Sequence, residues 1–364
     1  MKRFSALGSV SFERRFSRQL GEMARDLAAA FGSELEALVL AGGYGGGEGG
    51  VEHLGGDERP YNDLDLLPIL ASRRRHVPRK VDVCRREWQR HLGVHVDFSR
   101  PLTEAQVARW PHQLLWHDVV SGHRVLWGDG DVVHRAAPRH LFDAPPAVEA
   151  TRLLLNRGAG LLEATRRHLL ELPRDPDDRD FVRRNAYKAD LAMMDAVLLV
   201  HRVYRPRVLE RPDRLRELGL ANAGVAALDL MATARRAVRF KVLPSSLPAG
   251  VTLIERAERV ERFGAVLAYV EAVRRGRPEP SLRAVAQDRR LVELDRHRPG
   301  CLPLNLYRQL KRGRVDWRSP REELFPALAA RLSDAPVVPG SSRTDIAAWC
   351  ERAEGFFQTW REHS

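Results

Sequence analysis

The stretch that most constrains this chain runs from Leu38 to Leu70, LVLAGGYGGGEGGVEHLGGDERPYNDLDLLPIL. The apolar run Leu38-Val39-Leu40-Ala41 predicts a short buried strand over Ala37–Ala41. That strand ends in Gly42-Gly43-Tyr44-Gly45-Gly46-Gly47, where backbone amides unshielded by side chains can approach a ligand. A second strand, Leu64–Leu70, follows, and Asp63-Leu64-Asp65-Leu66 opens it. Side chains alternate along a strand, so Asp63 and Asp65 share one face roughly 7 Å apart, at about 3.3 Å per residue. Two carboxylates beside a phosphate cradle suit Mg²⁺ or Mn²⁺, hard cations that take oxygen ligands and bridge to substrate phosphates.

The flanking sequence supplies the rest of a small α/β domain. Phe12, Phe16, Leu20, Met23, Leu27 and Phe31 recur at steps of three and four, which predicts an amphipathic helix over 11–31 ended by Gly32-Ser33. Pro78 suits an early helical position, Val81, Cys84, Trp88 and Leu92 carry the apolar face of that helix, and Gly93 stops it. In the next segment Val94, Val96 and Phe98 face one way while His95, Asp97 and Ser99 face the other, the alternation of a half-buried strand. One helix is expected across 103–121, then a strand and turn at Arg124–Asp129. Pro138 and Pro145-Pro146 mark a junction. Beyond it the period is helical throughout. Thr151–Leu172 and Asp180–Tyr204 are the longest candidates, separated by a turn-rich run over 173–178. Further helices are expected near 211–219, 222–241, 250–275, 281–295, 302–312, 321–333 and 343–361, with loops at 276–280 and 336–342. The expected class is therefore α+β, an α/β domain over 1–140 and an all-helical one over 147–364.

A Gly-Gly turn after a strand, followed by a strand bearing DxD, resembles the DNA polymerase β-type nucleotidyltransferase superfamily. Gly42-Gly43-Tyr44-Gly45-Gly46-Gly47-Glu48 and Pro60-Tyr61-Asn62-Asp63-Leu64-Asp65 are similar to the GGYGRGE and PYSDxD motifs of the uridylyltransferase group that modifies the PII nitrogen-regulatory protein. Gly46 stands where that group carries Arg, and an insertion of roughly Gly49–Arg59 separates the turn from the acids. The resemblance implies a small mixed-sheet domain and transfer of a nucleoside monophosphate from an NTP such as ATP to a hydroxyl, with release of pyrophosphate. It implies that Asp63 and Asp65 hold metal ions, that Asp97, matching the superfamily's third acid on the following strand, binds the catalytic metal and helps deprotonate the hydroxyl, and that Gly42, Gly43, Tyr44 and Asn62 border the nucleotide. Superfamily members commonly append helices that reach basic groups toward the triphosphate. Arg184, Lys188 and Tyr187 fit that role by position, and Asn156 and Arg157 more weakly. Lys188 shares a helical stripe with Leu191, Ala192, Asp195 and Leu199, the pattern of a cleft-facing line or of a buried pair with Asp195.

Composition narrows the partners. The 364 residues are 44% apolar, ordinary for a globular protein, and hold no run of 18 apolar residues, so no membrane span is expected. The N-terminus lacks a signal peptide's apolar core, and Cys84, Cys301 and Cys350 lack paired spacing, so a cytoplasmic location is expected without disulfides or zinc. The net charge of +12 admits a nucleic-acid partner. However, only five of the 60 basic residues are Lys, an arginine skew of the kind G+C-rich bacterial genomes produce, and the Arg residues are spread beside acids. The acceptor hydroxyl stays open between small molecule, protein side chain and RNA end. So do two other classes, a non-catalytic nucleotide-binding regulator and an RNA-binding relative.

Overall fold

The computed structural model describes residues 3–74, 77–171, 175–219, 229–247, 252–277, 281–287, 307, 320–336 and 341–363. The chain is mixed α/β, a small mixed sheet with many helices. It divides into two compact units. The first takes Met1–Pro146 together with Tyr204–Arg211 and Val238–Leu247, and the second takes Ala147–Val203, Pro212–Ala237 and Pro248–Ser364.

In the first unit the order is α1 (Val10–Phe31), β1 (Leu35–Leu40), a one-turn helix α2 (Gly42–Gly45), β2 (Val51–Leu54), β3 (Asp57–Pro60), β4 (Asp63–Leu70), α3 (Arg79–Leu92), β5 (His95–Phe98), α4 (Glu104–Val107), α5 (Leu114–Ser121), β6 (Arg124–Gly128) and α6 (Val132–Ala136). Four strands form one sheet in the order β5-β4-β1-β6. β4 runs parallel to β5, while β1 is antiparallel to both β4 and β6. Both faces of this sheet are buried. Leu38, Leu40, Leu64, Leu66 and Val96 point to the face covered by Phe12, Phe16, Leu20, Met23 and Leu27 of α1 and Val81 of α3. Burying each such side chain contributes about 1.5–3 kcal/mol, so this layer is the main anchor of the unit. Ala37, Val39, Ala41, Leu67 and Ile69 point the other way, under Val107, Trp110, Val119, Val120, Val132 and Val133. Gly93 at φ 69 adopts the left-handed turn that ends α3.

One expectation needs correction here. The single helix over 103–121 is two, α4 and α5, because Pro111 between them has no N–H to give and pushes Trp110 away from helical geometry. The insertion is a two-stranded hairpin, β2 with β3, turned by Gly55 and Gly56 at φ 60 and 89, the positive values a two-residue hairpin turn demands.

The second unit is helical. α7 (Val148–Leu169), α8 (Pro176–Val200), α9 (Arg211–Glu217), α10 (Leu230–Val242), α11 (Leu253–Arg274), α12 (Leu282–Gln287), α13 (Pro320–Ser333) and α14 (Arg343–His363) follow in order, with α9 and α10 each crossing a unit boundary. Part of the turn-rich run at 173–178 belongs to α8. Asp175 caps it by accepting from the Asp178 amide at 2.7 Å, and Pro176 fills the first helical position. Apart from Tyr307, the helix expected near 302–312 lies outside the described residues, as do all of 288–295 and 222–228. Among the described residues no helix is long and apolar enough to cross a membrane.

Candidate functional site

Strand alternation and strand register together bring the acids to one place. Asp63 and Asp65 lie on the same face of β4 as Leu67 and Ile69, which are buried, but the acids themselves are half-buried, so this face opens at the strand's first residues. On the parallel neighbour β5, His95 is in register with Asp63 and Asp97 with Asp65. Paired residues of adjacent strands share a face at about 4.8 Å spacing, so Asp97 stands beside Asp65 and His95 beside Asp63. His95 and Asp97 are exposed.

The Gly turn meets this face from β1. The Ala41 amide donates to Asp65 O at 2.8 Å, and Gly42 follows at φ 62. A Cβ on Gly42 would fall 2.1 Å from Asp65 Oδ2, so the carboxylate lies directly against the first residue of the turn. Most of the turn's amides are occupied by the protein. Those of Gly45, Gly46, Gly47, Glu48 and Gly49 donate to Ala41, Gly42, Tyr44, Gly43 and Phe4 carbonyls. Gly42, Gly43 and Tyr44 form the first turn of α2, where backbone amides have no partner within the helix. They lie next to Asp65, where an anion held by the turn would also reach the carboxylate face.

The Tyr44 side chain is a core group. Its ring packs 5.2 Å from that of Phe16, and only 3% of the residue is exposed. Its hydroxyl accepts from the Tyr61 amide at 2.7 Å and lies 2.6 Å from Gly50 O, bridging the two ends of the inserted hairpin. Burial raises the phenol's pKa, so this proton stays in place. Asn62 sits between that bridge and Asp63. It holds a left-handed backbone, φ 77, and its amide nitrogen donates to Asp63 Oδ1.

Compared with known proteins, the chain matches no family model and no curated protein. The site therefore stands on its own geometry.

Glu48, the last residue of the Gly motif, has a role that motif reading does not assign. It is buried, and its carboxylate accepts from the Val208 amide at 2.8 Å and the Leu209 amide at 3.4 Å, the open end of a 3₁₀ turn at Val208–Glu210. Asp118 on α5 accepts from the Tyr204 hydroxyl at 2.9 Å, and the Arg211 guanidinium lies 4.5 Å above the Tyr204 ring. Tyr204–Arg211 is thus fastened to the first unit at both ends.

The remaining candidates lie on helices of the second unit. Arg184 Nε is 2.7 Å from Asp180, one turn back on α8, and Lys188 is half-buried on the same helix. Tyr187 lies with its ring 5.6 Å from the Arg259 guanidinium. Asn156 and Arg157 are exposed on α7. The sequence leaves Lys188 and Asp195 open between a cleft-facing line and a buried pair; Asp195 is buried, and on the same helix Asp190, also buried, pairs with Arg259. Arg259 donates to both Asp190 oxygens, at 2.8 and 3.1 Å, on α11 and α8.

A divalent cation fits the first unit's carboxylates by chemistry. Asp63, Asp65 and Asp97 offer hard oxygen donors, the set that suits Mg²⁺ or Mn²⁺. Among the described residues no three His, Cys, Asp or Glu side chains close round a common point. Mg²⁺ does not ask for that, since it is commonly held by one or two carboxylates together with waters and substrate phosphates.

Proposed function

We propose that the first unit is a nucleotidyltransferase domain of the DNA polymerase β type, which joins a nucleoside monophosphate from an NTP to a hydroxyl acceptor. One observation carries this reading: register sets Asp97 beside Asp65 on the face where Gly42 lies against the Asp65 carboxylate. The first-turn amides of Gly42, Gly43 and Tyr44 are assigned to the β- and γ-phosphates, an arrangement in which N–H groups and negative charge meet without intervening side chains. Asp63 and Asp65 would hold Mg²⁺, which would supply positive charge to the triphosphate oxygens. Asp97, exposed at the edge strand, faces the acceptor side and takes up the hydroxyl proton as the oxygen attacks the α-phosphorus. The new P–O bond forms as the bond to pyrophosphate breaks, and pyrophosphate leaves with that electron pair.

Isothermal calorimetry with each NTP, with and without Mg²⁺, tests binding, and incubation with labelled NTP and a cell extract tests transfer. Divalent-dependent NTP binding lost in Asp63→Ala/Asp65→Ala is the expected result. Wild-type affinity in that double variant places the site elsewhere. Asp97→Asn is expected to keep NTP affinity and slow pyrophosphate release by at least about 10²-fold, the lower end for removing a positioned acid–base group. One observation favours binding without transfer, the Gly46 that replaces the motif's Arg. NTP binding with no labelled product in any extract would decide for that reading.

A further inference from the structure

Asn62 borders the nucleotide in the motif, but the structure gives its side chain a different partner. Its Nδ2 donates to Asp63 Oδ1, the first acid of the pair. It does so from φ 77, a left-handed backbone that non-glycine residues adopt uncommonly and that Asn tolerates better than most. Such an outlier persists only where its surroundings fix it, and here they do on both sides. Before it, the Tyr61 amide is held by the buried Tyr44 hydroxyl, and the Tyr61 ring packs edge-on against Phe240, centroids 5.9 Å apart. After it, Asp63 enters β4 in register with His95. The hairpin base and the strand thus fix the residue between them.

We propose that Asn62 is a positioning residue that sets the Asp63 carboxylate for the divalent cation. The Tyr44–Tyr61 bridge at the base of the inserted hairpin is the brace that keeps Asn62 left-handed. The proposal rests on the reading of Asp63 as a metal ligand. With Asp63 Oδ1 hydrogen-bonded to Asn62, the carboxylate cannot rotate freely, and Oδ2 is the oxygen assigned to the cation. Partners behind a ligand of this kind typically change metal affinity by 10–100-fold when removed. The hairpin, which lies outside the motif, then has a purpose at the site.

Two substitutions separate the hydrogen bond from the backbone. Asn62→Gly removes the amide and accepts positive φ without strain, whereas Asn62→Ala removes the amide and strains the backbone. The probe is Mn²⁺ alone, titrated well below the melting temperature by the electron paramagnetic resonance signal of the free ion, with Asp63→Asn as reference. The expected result is at least about tenfold weaker Mn²⁺ binding in both Asn62 variants, with a lower melting temperature only in Asn62→Ala. Wild-type Mn²⁺ affinity in Asn62→Gly, with binding weakened in Asp63→Asn, overturns the positioning role and leaves the metal reading standing. Unchanged binding in Asp63→Asn as well removes Asp63 from the metal site and overturns both.

Discussion

Gly42 and Gly46 look alike in the sequence and differ in the fold. At Gly42 the backbone is left-handed and a Cβ would strike the Asp65 carboxylate at 2.1 Å. Gly46 has φ −75, and a Cβ there would meet nothing closer than Gly42 O at 3.5 Å. Gly42→Ala is therefore expected to cost at least about 1–2 kcal/mol for the left-handed backbone and to displace Asp65 besides. Gly46→Ala is expected to be neutral or to stabilise by about 0.4–1 kcal/mol, because it restricts only the unfolded chain. Thermal melts of the two variants check this, and equal losses would show that position 46 is as constrained as position 42. The absence of Arg at Gly46 is thus not imposed by the backbone, since a side chain there can begin without a clash.

At the level of elements, the sequence was legible where one face of a segment is apolar. α1, α3 and β5 follow their periods because each lays one regular face on the core, while the interior strands β1 and β4, covered on both faces, show as apolar runs. The hairpin escaped because of its four β2 residues only Val51 is buried, so period carried no signal. The cue was Gly55-Gly56 between two short runs, which reads as a hairpin turn. Neither Tyr204–Arg211 nor Val238–Leu247 betrays in its own residues that it belongs with the first unit, since what holds the former is Glu48, far away in sequence. Glu48→Ala leaves the Val208 and Leu209 amides without their acceptor. A buried amide left unsatisfied costs about 1–3 kcal/mol, so a loss of about 2–3 kcal/mol in urea unfolding is expected, with Glu48→Gln recovering part of it. Protease cleavage within 204–211 should also rise in Glu48→Ala. An unchanged urea midpoint would mean that Tyr204 and Asp118 hold the segment alone.

Across the whole molecule, the interior sets how the protein responds to acid. Burial lowers the pKa of His112, His117 and His123 in the first unit and of His168 and His201 in the second. Most of these rings have a fixed hydrogen bond, as from His117 Nδ1 to Leu141 O at 3.0 Å and between His201 Nε2 and the Tyr269 hydroxyl at 2.8 Å. His168 is the extreme case. Burial, and then the charge of Arg256 whose Nη2 donates to its Nδ1, pull it down to about 4. A depressed imidazole pKa means that the unfolded chain takes up protons at about pH 6.5 while the folded one does not, so the unfolded state binds more protons below that pH. Stability then rises with pH across the interval from about 4 to 6.5 and falls on acidification through it. The carboxylates act lower. Asp82 is held down by Arg86 and Arg85, and Asp129 by the Asp131 amide and Arg135, so their contribution is lost only as pH drops through the carboxylate range. The urea midpoint is therefore expected to fall between pH 7.5 and 5, before carboxylates titrate. His168→Gln should reduce that fall by on the order of 1 kcal/mol, a figure discounted for the ring's partial exposure. Circular dichroism during urea titration at pH 7.5, 6 and 5 measures both proteins. If wild type and His168→Gln lose stability in parallel, His168 already takes up its proton in the folded state and its contact with Arg256 gives way without cost.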